Sequence, residues 1–291
     1  HCTYCIIPQI RGPYRSVPLE ELLTESVNLV GGGVKELILV AQETTLYGVD
    51  LYGRKMLPEL LEKLAQIEGL RWIRLLYCYP EEITDEIIAV IKKEKKVCHY
   101  LDIPIQHGND EILRRMGRQT NRAAIAGLVA KLREEIPDIC LRTTLITGFP
   151  GESKAGHEDN MRLVAELCFD RLGVFTYSPE EDTPAATMPK QVGERMKKRR
   201  YSQLMEQQQG IAFARAKEMV GRALTVMIEG QIDGGEANVY VARTYRDAPD
   251  IDGYLFLESG RQFASGDFVK VTVTAAQGYD LIGEENDEPT E

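Results

Sequence analysis

Five short aliphatic runs, each preceded by a helical pattern, constrain this chain more than any other feature. "LEELLTESVNLV" precedes "ELILVA" (Glu36–Ala41), and "LPELLEKLAQI" precedes "RWIRLLY" (Arg71–Tyr77). "TDEIIAVIKKE" precedes "HYLDIPI" (His99–Ile105), and "NRAAIAGLVAKLREEIP" precedes "ICLRTTLITGF" (Ile139–Phe149). "GHEDNMRLVAELC" precedes "RLGVFTY" (Arg171–Tyr177). The runs are continuous rather than alternating, which predicts strands buried on both faces. Helix–strand repetition of this kind implies right-handed crossovers and a parallel sheet, so the expected class is α/β, a partial or full TIM-like barrel. In such a sheet the site lies at the C-terminal ends of the strands. The loops there are "QETTLYG" (Gln42–Gly48), "YCYP" (Tyr77–Pro80), "QHGND" (Gln106–Asp110) and "TGFPGE" (Thr147–Glu152).

After Tyr177 the pattern changes. A Pro- and acid-rich loop leads to a long helix over Gln191–Val220, whose early "KKRR" is expected on a solvated face. From Gly221 short alternating strands separated by Gly/Asp turns predict a small all-β barrel of five strands, of the OB type. The expected boundaries are therefore residues 1–220 for the α/β core with its helix and 221–283 for the barrel. "EENDEPTE" at 284–291 is expected to be a disordered acidic tail. The net charge of −10 is concentrated here: residues 221–291 carry 5 Lys/Arg against 14 Asp/Glu, leaving the preceding part near neutral. No apolar run approaches the roughly 20 residues of a membrane span, so no membrane partner is expected.

Cysteine usage narrows the chemistry. Cys78, Cys98 and Cys140 are single thiols in strand-like stretches, expected as buried free cysteines in a reducing, cytoplasmic setting. Cys2 and Cys5 form a CxxC pair, which zinc knuckles, thioredoxin-like redox sites and iron–sulfur clusters all use. Zinc would need two further ligands, of which His1 is the one nearby candidate. From the residues alone the three readings stay open.

The wider pattern adds a resemblance. "CTYCIIPQIRGPYRS" resembles the cluster loop of radical S-adenosylmethionine enzymes, with Tyr4 in the aromatic position before the last cysteine. "KELILVAQETTLYG", "YLDIPIQHGNDEILRRMGR", "LRTTLITGFPGE" and "GVFTYSPEEDTPAA" are similar, in order, to blocks of the methylthiotransferase family in that superfamily, which ends in a TRAM barrel. The resemblance implies that Cys2 and Cys5 are ligands of a 4Fe-4S cluster, the third cysteine lying outside this chain. S-adenosylmethionine would bind the open iron, and a second 4Fe-4S cluster would sit in an N-terminal methylthiotransferase domain missing here. Tyr4, Gly32, Gly33, Gln42, Gln106, Arg142 and Gly148 are the cofactor-binding positions it implies, and His107 is expected to be structural. This fragment alone is expected to be inactive.

Two branches of the family differ in substrate: one acts on an isopentenylated adenosine of transfer RNA, the other on an aspartate of ribosomal protein twelve of the small subunit. RNA binding calls for a basic footprint, whereas the barrel is acidic and suits a basic ribosomal protein. "ARTYRDAPDIDG" (Ala242–Gly253) and "GYDLIGE" resemble the ribosomal-protein branch. They suggest Asp247, Asp250 and Asp252 as substrate contacts, with an electron-donor protein as a further partner. The alternative of another class is a zinc-stapled RNA-binding module.

Overall fold

A computed structural model describes residues 2–232 and 238–286. Its first unit is a parallel sheet of five strands in chain order: β1 (Glu36–Leu39), β2 (Trp72–Leu75), β3 (Val97–Gln106), β4 (Cys140–Thr147) and β5 (Arg171–Thr176). Every predicted aliphatic run becomes a strand. The sheet is open, with β1 and β5 as its edges among the described residues, so the architecture is the partial form of the barrel.

The helices are α1 (Ile7–Arg11), α2 (Leu19–Gly31), α3 (Val49–Tyr52), α4 (Leu57–Ala65), α5 (Asp85–Lys93), α6 (Asp110–Arg115), α7 (Arg122–Glu135), α8 (Lys154–Leu167) and α9 (Glu194–Lys217). Their starts are set locally: the side chains of Thr84, Asn109, Asn121 and Ser153 each accept an N–H from the first turn of α5, α6, α7 and α8. In α4, Leu57, Leu60, Leu61 and Leu64 recur at helical spacing and are all buried. They join Leu101, Ile103 and Ile105 of β3 and Leu141 and Leu145 of β4 in one core between helices and sheet. The other face of the sheet is different. Arg142, Thr144 and Ile146 alternate with those core residues along β4 and remain partly exposed on that other face.

The second unit is a closed barrel of β6 (Ala223–Ile232), β7 (Asn238–Thr244), β8 (Leu255–Ser259), β9 (Phe268–Gln277) and β10 (Asp280–Glu285), ordered β10-β8-β7-β6-β9. Val226, Ile228, Tyr240, Leu255, Leu257, Val271 and Val273 fill it. Closure leaves no free edge. Glu284 and Glu285, expected in the tail, belong to β10, paired with Thr272 and Val271. Asn286 donates its N–H to the Lys270 carbonyl (2.9 Å), and the rest of the expected tail, residues 287–291, lies outside the described residues, as does His1.

The two units meet through the loop between β7 and β8, which packs under the N-terminal ends of the sheet. Trp72, Cys98, Tyr100 and Cys140 of the sheet share an apolar cluster with Met227 and Ala248, and Trp72 packs edge-on against Phe268 with ring centroids 4.9 Å apart. Around it lies a ring of charges. Glu36 binds both Arg74 (2.7 Å) and Arg243 (2.6 Å), Asp170 binds Arg246 (2.6 Å), and Asp247 binds Arg171 (2.6 Å). Arg74 also donates to the Tyr245 carbonyl (2.6 Å).

Asp252 accepts from the Tyr100 hydroxyl (2.7 Å) and the Ala248 N–H (2.9 Å). Its second oxygen faces Arg142 (3.7 Å) and Arg171 (3.8 Å). Asp247 and Asp252 are thus corrected from substrate contacts to parts of an interdomain clasp, because both carboxylates are buried on arginines of the sheet.

The "KKRR" expectation is half right. Lys198 and Arg199 are exposed, but Lys197 and Arg200 are buried. They sit in a stripe with Leu204, Gln208, Ala212 and Ala216 at three- and four-residue spacing, the face α9 lays on β5 and α8.

Candidate functional site

Cys2 and Cys5 flank one turn, closed by the Cys5 N–H donating to the Cys2 carbonyl (3.2 Å). The turn is anchored at its middle. Thr3 donates its N–H to the Met116 carbonyl (2.9 Å) and its hydroxyl to the Arg115 carbonyl (2.8 Å), while its own carbonyl accepts from the Ala185 N–H (3.0 Å). Tyr4 points inward, edge-on to Phe149, and joins Ile112, Met116, Phe149 and Tyr177 in a small apolar cluster. The aromatic before the second cysteine is therefore the peg that ties the thiol loop to the "TGFPGE" loop. Burial pushes its phenol well above the ordinary range.

Both thiols are partly exposed and line a cavity of about 750 Å3 together with Gln42, Glu43, Tyr79 and Arg118. Glu43 caps the turn at Thr44–Leu46: its carboxylate accepts from the Thr45 N–H and hydroxyl and from the Tyr79 N–H (3.1 Å). Burial raises its pKa to about 7 despite those donors. Arg118 has a buried guanidinium 4.0 Å from the Cys2 sulfur and 4.2 Å from the Tyr79 ring centroid, and it is paired with Glu81 at 3.0 Å. Its Nε has no hydrogen-bond partner among the described residues. Neither Glu43 nor Arg118 is singled out by sequence reasoning; the signals were the acid directly after Gln42 and the arginine closing "RRMGR".

The loop after β4 is built around Glu152. Its carboxylate accepts from the Gly148 N–H, faces Arg200 (3.3 Å), and lies 3.7 Å from Nε2 of the buried His107. Burial pushes this carboxyl up, but His107, Arg200 and the Gly148 N–H together hold it below the usual carboxylate range. Gly148 has a φ of +76°, and a Cβ there would lie 2.3 Å from the Lys197 Cγ. His107 accepts from the Asn109 N–H on Nδ1 (3.0 Å), a structural position as expected.

The structure gathers Cys2, Cys5 and Gln42 at one cavity, and places Gln106 and Gly148 at the C-terminal ends of β3 and β4 on the same side of the sheet. It separates the others. Gly32 and Gly33 end α2, with Gly33 at a φ of +103°, and precede β1. They are at the opposite end of the sheet from the cysteines, because strands run parallel and the site lies where they finish. Arg142 is the third residue of β4, near its start, and is held by Asp102 (3.1 Å) on the partly exposed face. That corrects Arg142, which is not at a strand end, while Gly32 and Gly33 lie ahead of β1 as expected but away from the thiol turn.

Two half-exposed thiols on an anchored turn, opening into a cavity beside a buried cation, fit a thiolate-ligated iron–sulfur cluster: soft sulfur donors select such clusters, and the cation offsets their negative charge. No group of three or more His, Cys, Asp and Glu able to hold a metal occurs among the described residues, and His1, the further zinc ligand considered from the sequence, lies outside them.

The sequence profile of the radical SAM superfamily matches residues 1–164, more than half of the chain. The chain belongs to the radical SAM superfamily. A TRAM domain profile matches residues 220–285, the closed barrel. A ribosomal protein uS12 methylthiotransferase RimO of Lachnoclostridium phytofermentans is 62% identical over 283 residues, covering 97% of this chain and 64% of that protein. The protein of the same name from Geobacter sulfurreducens is 50% identical, covering 97% and 63%. This radical SAM chain therefore spans a little under two thirds of the length of the curated relatives it matches. Among solved structures, the radical S-adenosylmethionine methyltransferase TsrM of Kitasatospora setae superposes with a TM-score of 0.53 at 17% identity, over 64% of this chain and 36% of that one. Coproporphyrinogen III oxidase HemN of Escherichia coli, described as a radical SAM enzyme, gives 0.50 at 20% identity, over 70% and 46%. At such identities the likeness is one of fold.

Proposed function

We propose that this chain is the radical-generating core and TRAM barrel of an enzyme that methylthiolates the β-carbon of an aspartate in ribosomal protein uS12. The observation that carries the reading is the match at 62% identity over 97% of the chain to a curated uS12 methylthiotransferase. Cys2 and Cys5 would hold two positions of a 4Fe-4S cluster, with S-adenosylmethionine in the cavity they line. When bound, these groups would supply one-electron radical chemistry able to attack a C–H bond.

The chain's own residues position and shield. The Thr3–Met116 and Tyr4–Phe149 contacts fix the thiol turn against the sheet. Gln42 offers an exposed amide to the cavity, and Glu43 holds the cavity wall through the Thr45 and Tyr79 N–H groups. Glu152 holds the backbone of the β4 loop at Gly148, the side from which the rest of the cofactor would be contacted. Attack on an unactivated C–H bond needs no acid–base dyad, in keeping with a site of thiols, backbone and a few charges.

On the substrate side, Asp250 is exposed on the barrel, as are Glu258 and Glu284, and these acids suit a basic ribosomal protein better than RNA. The reading includes a second cluster on an N-terminal methylthiotransferase domain, an electron-donor protein and a cytoplasmic setting. The three buried thiols Cys78, Cys98 and Cys140 favour a reducing compartment. No helix among the described residues is long and apolar enough to cross a membrane.

The test uses the full-length protein, anaerobically reconstituted with iron and sulfide. It should convert S-adenosylmethionine to 5′-deoxyadenosine and methionine under a strong reductant, and Cys2→Ala should abolish this. Cleavage that survives Cys2→Ala would refute the assignment.

A further inference from the structure

One charged side chain stands against the thiol turn without taking part in capping, the domain clasp or the β4 loop: Arg118. We infer that Arg118 is a positioning and potential-setting residue, a fixed positive charge beside the Cys2 thiolate that makes a cluster held there easier to reduce. The inference rests on the proposed cluster at Cys2 and Cys5.

The geometry comes from one turn. α6 ends at Arg115 with Met116 as its C-cap, and Gly117, with a φ of +78°, reverses the chain so that the Arg118 N–H returns to the Leu113 carbonyl (2.9 Å). The Met116 carbonyl on the same turn holds Thr3, the residue after Cys2. The thiol turn and the Arg118 backbone are thus fixed to one short segment, which brings guanidinium and sulfur within 4.0 Å.

The side chain is 1% exposed, so water screens little of its charge. Its plane lies over Tyr79, and one terminal nitrogen serves both Glu81 (3.0 Å) and the Pro104 carbonyl (3.3 Å). The other terminal nitrogen donates toward the Cys2 sulfur at 4.0 Å, and Nε has no partner among the described residues. A buried arginine that keeps one donor unpaired and turns another on a thiol departs from the rule that buried donors are satisfied. N–H groups and positive charge directed at a ligand sulfur are among the factors that set the potential of iron–sulfur clusters. Reduction adds one electron and makes the cluster with its thiolates more negative, so an adjacent cation favours the reduced form.

The test is an EPR-monitored redox titration of the reconstituted full-length protein, with iron and acid-labile sulfide measured in each sample. Arg118→Gln should lower the midpoint by at least a tenfold change in the one-electron equilibrium, about 59 mV. Arg118→Lys, which keeps the charge, should stay within a threefold change. Glu81→Gln, which removes the counter-charge and spares the arginine, should move the midpoint the other way, and it keeps the inference testable if Arg118→Gln fails to fold. An unchanged midpoint in Arg118→Gln at normal cluster content, or one in Glu81→Gln, would overturn the assignment. So would an equal fall in Arg118→Lys, which marks a packing role. Wild-type protein that takes up no iron and sulfide would instead overturn the proposed function.

Discussion

Replacing Asp252 by alanine should separate the barrel from the sheet more effectively than any other single change in the clasp. The Asp252 side chain is 1% exposed. Its loss strands the Tyr100 hydroxyl and the Ala248 N–H, which it accepts at 2.7 and 2.9 Å. It also takes an anion from between Arg142 and Arg171. An orphaned buried donor costs about 1–3 kcal/mol, and breaking a buried ion pair from one side costs roughly 3–5 kcal/mol. Because these terms overlap, the expected loss is about 4 kcal/mol. The chain's single tryptophan, Trp72, is the natural reporter, because its ring touches Phe268 of the barrel. Urea unfolding followed by its emission should show the destabilisation, with a red shift of the native spectrum as that contact loosens. Tyr100→Phe should cost only about 1 kcal/mol in the wild-type background, and nothing once Asp252 is gone, because the stranded hydroxyl is then removed. A loss below about 1 kcal/mol in Asp252→Ala with unchanged Trp72 emission would refute the clasp.

Two further outcomes follow from named groups. The Glu43 carboxyl rises from 4.5 to about 7 through burial. The folded state therefore keeps a proton that the unfolded chain releases, and this contribution is present below about pH 4.5 and lost as pH rises through 7. The loss is about 3 kcal/mol, so Glu43→Gln should gain that much relative to wild type between pH 4.5 and pH 8. Equal differences at both values, measured by denaturant unfolding, would contradict it. Gly148→Ala places a Cβ against Lys197 at a φ of +76°, and should cost about 2 kcal/mol. A thermal melt within a degree of wild type would show the β4 loop to be more adaptable than its packing indicates.

How much of this was legible in the sequence depends on the range of the contact. "ELILVA" and "LRTTLIT" announced their strands, because burial on both faces demands continuous aliphatic residues. The alternation of Val269 to Thr274 announced the barrel for the opposite reason. The thiol turn was legible as a ligand pair, and the block resemblance selected among its chemistries. What could not be read were partners brought together from far apart: Tyr100 and Asp252 are 152 residues apart, and Cys2 and Arg118 are 116 apart. "DAPDIDG" suggests substrate contacts from its sequence, yet two of its aspartates are buried against arginines supplied by β4 and β5. In α9 the buried stripe includes Lys197, Arg200 and Gln208, so hydropathy hides a face that spacing alone would reveal. Gly32 and Gly33 fall before β1 as the sequence indicates, but a glycine run there looks the same whether it only ends a helix or lines a site.

The proposed function is tested most directly on the substrate. The full-length protein, reconstituted anaerobically, is incubated with S-adenosylmethionine, a reductant and either uS12-containing small subunits or transfer RNA bearing isopentenyladenosine, and both products are analysed by mass spectrometry. The expected result is a methylthio group in place of one hydrogen on an aspartate of uS12, with the RNA unchanged. Methylthiolated RNA with unmodified uS12, or no modification of either alongside normal deoxyadenosine formation, would contradict the account.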